Sequence, residues 1–340
     1  MPPSLADLRT IDEVAQATGL DRVRLEEYAS AKLQVAYYQT IAIPKRGRRR
    51  GGQYRLVHKS QSDWLRQFHH EIARLLAAAV TFPDCVQGFV QRRSAVSNAR
   101  LHLNSPVVRH ADLEDFFDTI TMGQVQDVFV SLGCTAPIAS LLARATTIDG
   151  FLRQGTRCSP TLANCVCRGL DKVLGALAQT SQARYSRYAD NLTFSGETVP
   201  DLAQIRVAVT NAGFRLRDQG CYTQYKGRCQ YVTGLTVGHS DQPRLPKRMK
   251  RNLRLVLHYI EALGSEAHFE RVGQHSTYKN SRAVCGAIRF CYSVEPRFVA
   301  RLVRLFPKAS NEVGWSRDVP KIKLLDLSSL SELLSKKRPS

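Results

Sequence analysis

No stretch of the 340 residues approaches the roughly 20 apolar side chains that a membrane-spanning helix needs, so no membrane partner is expected. The opening residues, Met1 to Asp7, lack the basic-then-apolar order of a secretion signal. Paired C-x-x-C sets are missing. The nine cysteines are scattered, and only Cys165 and Cys167 lie close together, in a C-x-C. A zinc site is therefore not expected, and the simplest reading is reduced structural thiols in a cytoplasm. Internal repeats and long linkers are also absent. Acidic residues are few: 29 Asp and Glu stand against 49 Lys and Arg, for a formal net charge of +20. A surplus of that size points to a polyanion partner, either nucleic acid or an anionic membrane surface, and without a spanning segment or a signal the membrane reading weakens and the nucleic-acid reading gains. With 43% hydrophobic and 23% charged residues a sizeable core can form, which excludes global disorder. The length suits one large domain or two to three subdomains.

The pattern predicts a mixed α/β chain. Thr10 or Asp12 can cap a first helix, Gly19 and Asp21 break it, and a second runs from about Val23 to Leu33. Residues 41–60 read as a β-hairpin whose turn, Lys45-Arg46-Gly47-Arg48-Arg49-Arg50-Gly51-Gly52, is basic and glycine-rich. It reads as a phosphate contact or, more blandly, as a solvated loop. Trp64, Leu65, Phe68, Ile72, Leu75 and Leu76 fall at helical spacing over 61–80. A strand runs from Pro106 toward Asp112. A helix carrying Val125, Val128, Phe129 and Leu132 ends at Gly133, and another covers 160–178 from Pro160. Residues 185–195 read as strand, turn, strand, with Asp190 at the tip. A helix spans 201–212, and Phe214-Arg215-Leu216 and Tyr231–Val237 resemble further strands. From Pro246 the chain turns helical and basic.

Two acidic residues stand out by context. Asp112 ends a strand-like run and Asp190 tips a hairpin. Carboxylates brought together from two distant strands offer hard oxygen ligands to divalent metal, the arrangement that phosphoryl transfer uses. Taken singly, an Asp at a turn is a turn residue.

The company of these two residues resembles the bacterial reverse transcriptases and, within them, the retron enzymes. Over residues 10–240 the order of segments matches. Ile43-Pro44-Lys45 and Tyr54-Arg55-Leu56-Val57 resemble the fingers motif. Asn98-Ala99-Arg100-Leu101-His102 matches the retron N-A-x-x-H signature. Asp112-Leu113-Glu114-Asp115-Phe116-Phe117 resembles the first palm motif. Gln154-Gly155-Thr156-Arg157-Cys158-Ser159-Pro160 matches Q-G-x-x-x-S-P, and Asn164 follows it. Tyr188-Ala189-Asp190-Asn191 occupies the Y-A-D-D position, and Val232-Thr233-Gly234 matches the retron V-T-G.

The resemblance implies a right-hand polymerase. Residues 1–105 would form N-terminal helices and fingers, 106–240 the palm with part of the fingers, and 241–340 a basic helical thumb. Asp112 and Asp190 would be catalytic and would hold two Mg²⁺ ions, with Asn191 and the Leu113 backbone as candidate further donors. Phe117 would be a steric gate against a ribose 2′-hydroxyl, or else a core phenylalanine. Gln154 and Gly155 would line the nucleotide pocket, and Lys45 and Arg55 would meet the triphosphate. Asn98 and His102 would be structural or RNA-contacting. The substrates would be dNTPs and a cognate structured non-coding RNA. DNA would start on the 2′-hydroxyl of an internal guanosine to give a joined RNA-DNA product, in a system that pairs with an effector protein in anti-phage defence. In the thumb, Lys247, Lys250, Arg251 and Arg254 would share one face of a helix and contact RNA, the plainer reading being a solvated face.

Three departures accompany the resemblance. Asn191 replaces the second Asp of the hairpin. Arg153 stands where many relatives have proline. The lysine expected after Gly213-Phe214 is missing, since Asp218-Gln219-Gly220-Cys221 occupies the region and Lys226 is out of register. Two other readings stay open: another kind of bacterial reverse transcriptase, and a catalytically weak scaffold for structured RNA.

Overall fold

The computed structural model describes residues 4–44, 54–238, 241–273 and 276–315. The chain divides into two units, Met1–Pro243 and Arg244–Ser340.

In the first unit, helix α1 (Ile11–Thr18) starts at a reciprocal cap. Thr10 Oγ1 accepts from the Glu13 N–H at 3.2 Å, and Glu13 Oε2 accepts from the Thr10 N–H at 2.9 Å. Gly19 ends it at φ +67°, and Asp21 caps α2 (Arg22–Ser30). Strands β1 (Tyr38–Pro44) and β2 (Tyr54–Ser60) form the predicted antiparallel hairpin. The basic turn between them, Lys45 included, lies outside the described residues. Helix α3 (Asp63–Ala79) buries Leu65, Phe68, Ile72, Leu75 and Leu76, the stripe that its spacing predicts. The short α4 (Ala95–Arg100) carries the first half of N-A-x-x-H.

Strand β3 (Val107–Asp112) is followed by α5 (Phe116–Thr119), α6 (Met122–Ser131) and α7 (Ala136–Thr146). The helix expected over 160–178 is two helices, α8 (Ser159–Val166) and α9 (Arg168–Thr180). Buried Cys167, at φ −76° and ψ −2°, is the one residue between them. Strands β4 (Arg184–Tyr188) and β5 (Asn191–Gly196) follow, then α10 (Leu202–Asn211) and β6 (Tyr222–Tyr225). The sheet order is β4-β5-β3-β6, with every pairing antiparallel.

Phe214-Arg215-Leu216 is not a strand and makes a single bridge, Leu216 to Leu113. A tight turn at Asp218–Gly220 folds back on Asp112 and stops the pairing. The run Tyr231–Val237 is likewise not one strand. It doubles back as β7 (Tyr231–Val232) and β8 (Leu235–Thr236), because Thr233 and Gly234 take φ +47° and +80°. Two successive positive angles make a tight hairpin turn.

The second unit is helical where described: α11 (Lys247–Leu263), α12 (Ser265–Val272), α13 (Ser281–Val294), α14 (Pro296–Leu305) and α15 (Pro307–Glu312). Leu253, Leu257 and Ile260 of α11 are buried, as are Val284 and Ile288 of α13 and Val299 and Leu302 of α14. All nine cysteines are free thiols. Among the described residues no helix is long and apolar enough to cross a membrane.

Candidate active site

Sheet register brings the two singled-out carboxylates together. Asp112, the last residue of β3, pairs with Asn191, the first of β5. Asp190 precedes Asn191 in the turn, and its carbonyl accepts from the Leu113 N–H at 2.9 Å. Both aspartates line a cavity of about 600 Å³ in the first unit, with Arg55, Phe117, Gln154, Gly155 and Arg217. Four of the expected nucleotide contacts, Arg55, Phe117, Gln154 and Gly155, thus share one wall system with Asp112 and Asp190. Among the described residues the lining contains no His or Cys but does contain carboxylates, and such hard oxygen donors suit Mg²⁺, Mn²⁺ or Ca²⁺ rather than zinc.

Gly155 is held at φ +123° against β2. A Cβ there would lie 2.2 Å from the His58 carbonyl oxygen, so only glycine fits. The His58 N–H donates to the Gln154 carbonyl at 2.7 Å, which ties the hairpin β1–β2 to the Q-G segment. Behind that segment runs a buried polar chain. The Tyr38 hydroxyl meets His69 Nε2 at 2.8 Å, and His69 Nδ1 meets Cys158 Sγ at 3.2 Å. Burial pushes the His69 pKa down to about 3 and the Cys158 thiol up to about 12, so both are neutral packing groups. Arg153, in the proline position, pairs with Asp118 at 2.8 Å and lies 5.0 Å from the Phe151 ring centroid.

The Asn191 amide Nδ2 donates to Asp190 Oδ1 at 2.9 Å. The amide replaces like-charge repulsion at the tip with a hydrogen bond. Among the described residues no group of three or more His, Cys, Asp and Glu is placed to hold a metal.

The N-A-x-x-H residues lie against the hairpin β4–β5 and do not line the cavity. The Ser186 hydroxyl donates to Asn98 Oδ1 at 2.6 Å and also lies 2.7 Å from His102 Nε2. Its proton is committed to Asn98, so His102 Nε2 carries the ring proton. His102 Nδ1 therefore accepts from the Ser195 hydroxyl, 2.7 Å away. Ser186 belongs to β4 and Ser195 to β5, so His102 cross-links the two strands. Burial lowers its pKa to about 3. Thr233 of V-T-G donates to the Ala95 carbonyl of α4 at 2.7 Å, while Val232 is buried. The two retron signatures are therefore one packed assembly.

The sequence reading missed Arg187. It is fully buried, and it grips Asp171 with two bonds, Nε to Oδ1 at 2.8 Å and Nη2 to Oδ2 at 2.6 Å. Nη1 reaches Asn164 Oδ1 at 2.9 Å and the Ala189 carbonyl at 3.2 Å, next to Asp190. The Tyr185 hydroxyl completes Asp171 at 2.8 Å. A signal was present, since Asp171 shares the apolar stripe of α9 with Leu170, Leu174 and Ala178.

In the second unit Lys247, Arg251 and Arg254 are exposed. Lys250 is not part of an open basic face. Its Nζ pairs with Glu295 at 2.6 Å and lies 5.4 Å from the Phe298 ring centroid.

No protein-family model matches the chain. Individual relatives do. The retron Mx65 reverse transcriptase of Myxococcus xanthus is 31% identical over 320 residues, covering 87% of this chain and 71% of that protein. The retron Mx162 reverse transcriptase of the same organism is 28% identical, over 75% of this chain and 59% of its own length. The retron Ec86 reverse transcriptase of Escherichia coli is 27% identical, over 67% and 68% respectively. The matched relatives and the motifs assembled around Asp112 and Asp190 agree: the chain belongs to the retron reverse transcriptase family of RNA-directed DNA polymerases.

Proposed function

We propose that this chain copies a cognate structured non-coding RNA from dNTPs, starting on the 2′-hydroxyl of an internal guanosine and leaving RNA and DNA joined. The observation that carries the reading is the meeting of Asp112 and Asp190 across β3 and β5, on a cavity that Arg55, Phe117, Gln154 and Gly155 also line. In a right-hand arrangement, residues 1–105 serve as N-terminal helices and fingers, 106–240 as palm and 241–340 as thumb. Asp112 and Asp190 hold two Mg²⁺ ions, with the Leu113 carbonyl as a further donor. Bound there, the ions supply Lewis-acid stabilisation of the attacking and leaving oxygens.

The chain's own residues do the rest. Arg55 and Lys45 offset triphosphate charge. Phe117, packed on Phe116 with ring centroids 5.2 Å apart, is a stiff wall against a ribose 2′-hydroxyl. Gln154 and Gly155 shape the nucleotide pocket. Lys247, Arg251 and Arg254 of α11 face solvent and suit the phosphates of duplex RNA. Lys250 contributes less, because Glu295 already matches its charge. Exposed Arg297, Arg301 and Arg304 give α14 a second basic face. An effector-protein partner and a role in anti-phage defence rest on the family resemblance alone.

The test is extension with labelled dNTPs on the RNA that copurifies with the protein. Labelled DNA joined to RNA is expected, in a Mg²⁺-dependent reaction. Asp112→Ala and Asp190→Ala should each lower synthesis by a factor on the order of 10³ or more while leaving RNA affinity unchanged. Near-wild-type extension by Asp190→Ala would overturn the reading.

A further inference from the structure

The lysine missing after Gly213-Phe214 has no substitute at its own place. The turn Asp218–Gly220 lies against the catalytic strand, and a Cβ on Gly220 would sit 2.3 Å from Asp112 Cβ. No side chain of any kind fits there without moving Asp112. Lys226 cannot serve either. Its N–H donates to the Pro106 carbonyl, and its neighbour Tyr225 pairs with Val107, at the end of β3 opposite Asp112. The five steps from Val107 to Asp112, at about 3.3 Å each, separate the two ends by about 17 Å.

Arg217 is placed differently. The backbone of 215–217 runs beside 112–114: the Glu114 N–H donates to the Arg215 carbonyl and the Arg217 N–H to the Asp112 carbonyl, both at 2.8 Å. This pairing sets Arg217 on the cavity wall with Asp112 and Asp190. Its side chain is only 17% exposed. Nη2 lies 3.4 Å from Asp115 Oδ1, long for a charged pair, and that carboxylate is 60% exposed. The Arg217 Nε is buried and has no hydrogen-bond partner among the described residues. A buried guanidinium N–H without an acceptor is costly, and the guanidinium that carries it belongs to a residue on the cavity wall, where an anion would meet its charge.

We infer that Arg217 receives the pyrophosphate end of the incoming nucleotide and holds it as it leaves. The inference rests on the polymerase reading above and adds a residue to it. In the transfer, the primer hydroxyl oxygen forms a bond to the α-phosphorus. The bond from that phosphorus to the bridging oxygen breaks, and pyrophosphate departs with the electron pair. The hydroxyl proton passes to solvent. Negative charge accumulates on the leaving group, where a planar fork of donors is well matched to phosphate oxygens. Arginine does not give up its proton in proteins, so Arg217 acts through charge and transfers no proton. In this it differs in kind from a lysine at the missing position.

The test reads pyrophosphate directly. Inorganic pyrophosphate is titrated by calorimetry, with Mg²⁺ present, into the full-length wild-type chain and Arg217→Gln. The variant is expected to bind about 10- to 100-fold more weakly, and product inhibition of primer extension should weaken in parallel. RNA affinity and the pH profile of extension should not change. Equal pyrophosphate affinity in the two proteins would overturn the inference. If Arg217→Gln loses its native melting transition, Arg217→Lys keeps the charge without the fork, and about 10-fold weaker binding is then expected. Wild-type affinity in Arg217→Lys would also count against it. Primer extension by the wild-type preparation tests the parent reading separately, since pyrophosphate binding needs no turnover.

Discussion

The hairpin β4–β5 has two ends with opposite electrostatic designs. At its tip, Asp190 lies on an open cavity beside Asp112, and Asn191 is exposed. Along its body, Arg187, Ser186 and Ser195 are fully buried, and each polar group has named partners. Charge at the tip lines the cavity, where the proposed reading puts substrate and metal. Charge in the body is completed by the protein, because an unmatched ion in the interior costs several kcal/mol, on the order of 3–5. In the proposed reading the tip does the chemistry, and the body sets where the tip stands. The Arg187 bond to the Ala189 carbonyl joins the two.

Removing the buried cation should break this arrangement most severely. Arg187→Met strands the Asp171 carboxylate in the core, and chemical denaturation should show a loss of about 3–5 kcal/mol. Adding Asp171→Leu removes the stranded charge, and most of that stability should return. The double variant still lacks the bond to Ala189, so its extension rate should stay low although it is folded. A double variant that is both stable and fully active would show that the body does not position the tip.

The histidine clamp gives the next effect, and it depends on pH. His69 and His102 have folded pKa values near 3 and His110 near 4, all lowered chiefly by burial from an ordinary value of 6.5. Below pH 6.5 the unfolded chain therefore binds protons that the folded chain refuses. Stability is full above about pH 6.5 and falls as pH drops toward 4. Each such histidine contributes about 1.4 kcal/mol per pH unit. His102→Gln should lower stability at pH 7 by about 1–3 kcal/mol, since it unlinks Ser186 from Ser195. It should also flatten the acid slope by one histidine's share. Denaturation curves at pH 7, 5.5 and 4.5 measure both. An unchanged slope would mean that His102 is not held neutral by the fold.

The tip was legible in the sequence and the body was not. Asp112 and Asp190 each sit in a short contiguous motif, a strand end and a hairpin turn, whose meaning is local. Arg187 and Asp171 are 16 residues apart and meet only through packing of α9 on β4. A charge inside a strand reads as a solvent-facing residue until its partner is known. Lys250 misled for the same reason: its helical spacing is local, but Glu295 lies 45 residues away. Asp171 left only a faint signal, a charge on the apolar stripe of α9, and other omissions had a clearer one. Helix α7 carries a proline in its first turn and Ile138, Leu141, Leu142 and Ala145 at helical spacing. The turn at Thr233-Gly234 was hidden because Tyr231–Val237 is rich in strand formers on both sides of it.

The smallest effect concerns Asn191 and tests the tip alone. Its Nδ2 donates to Asp190 Oδ1, so the tip carries one carboxylate and one amide where the family pattern has two carboxylates. Asn191→Asp removes that hydrogen bond and puts two negative charges side by side on an exposed turn. Without metal this repulsion is modest, because solvent screens it. With metal the added charge raises the affinity of the site, since charge count tunes the binding of hard cations. The variant should remain active, with Mg²⁺ half-saturation of primer extension lowered roughly 3-fold and melting in chelator nearly unchanged. Buried groups should not notice, so the acid slope set by His102 should match wild type. If Asn191→Asp instead abolishes extension, the amide is required as it stands, and charge at the tip is as tightly specified as charge in the body.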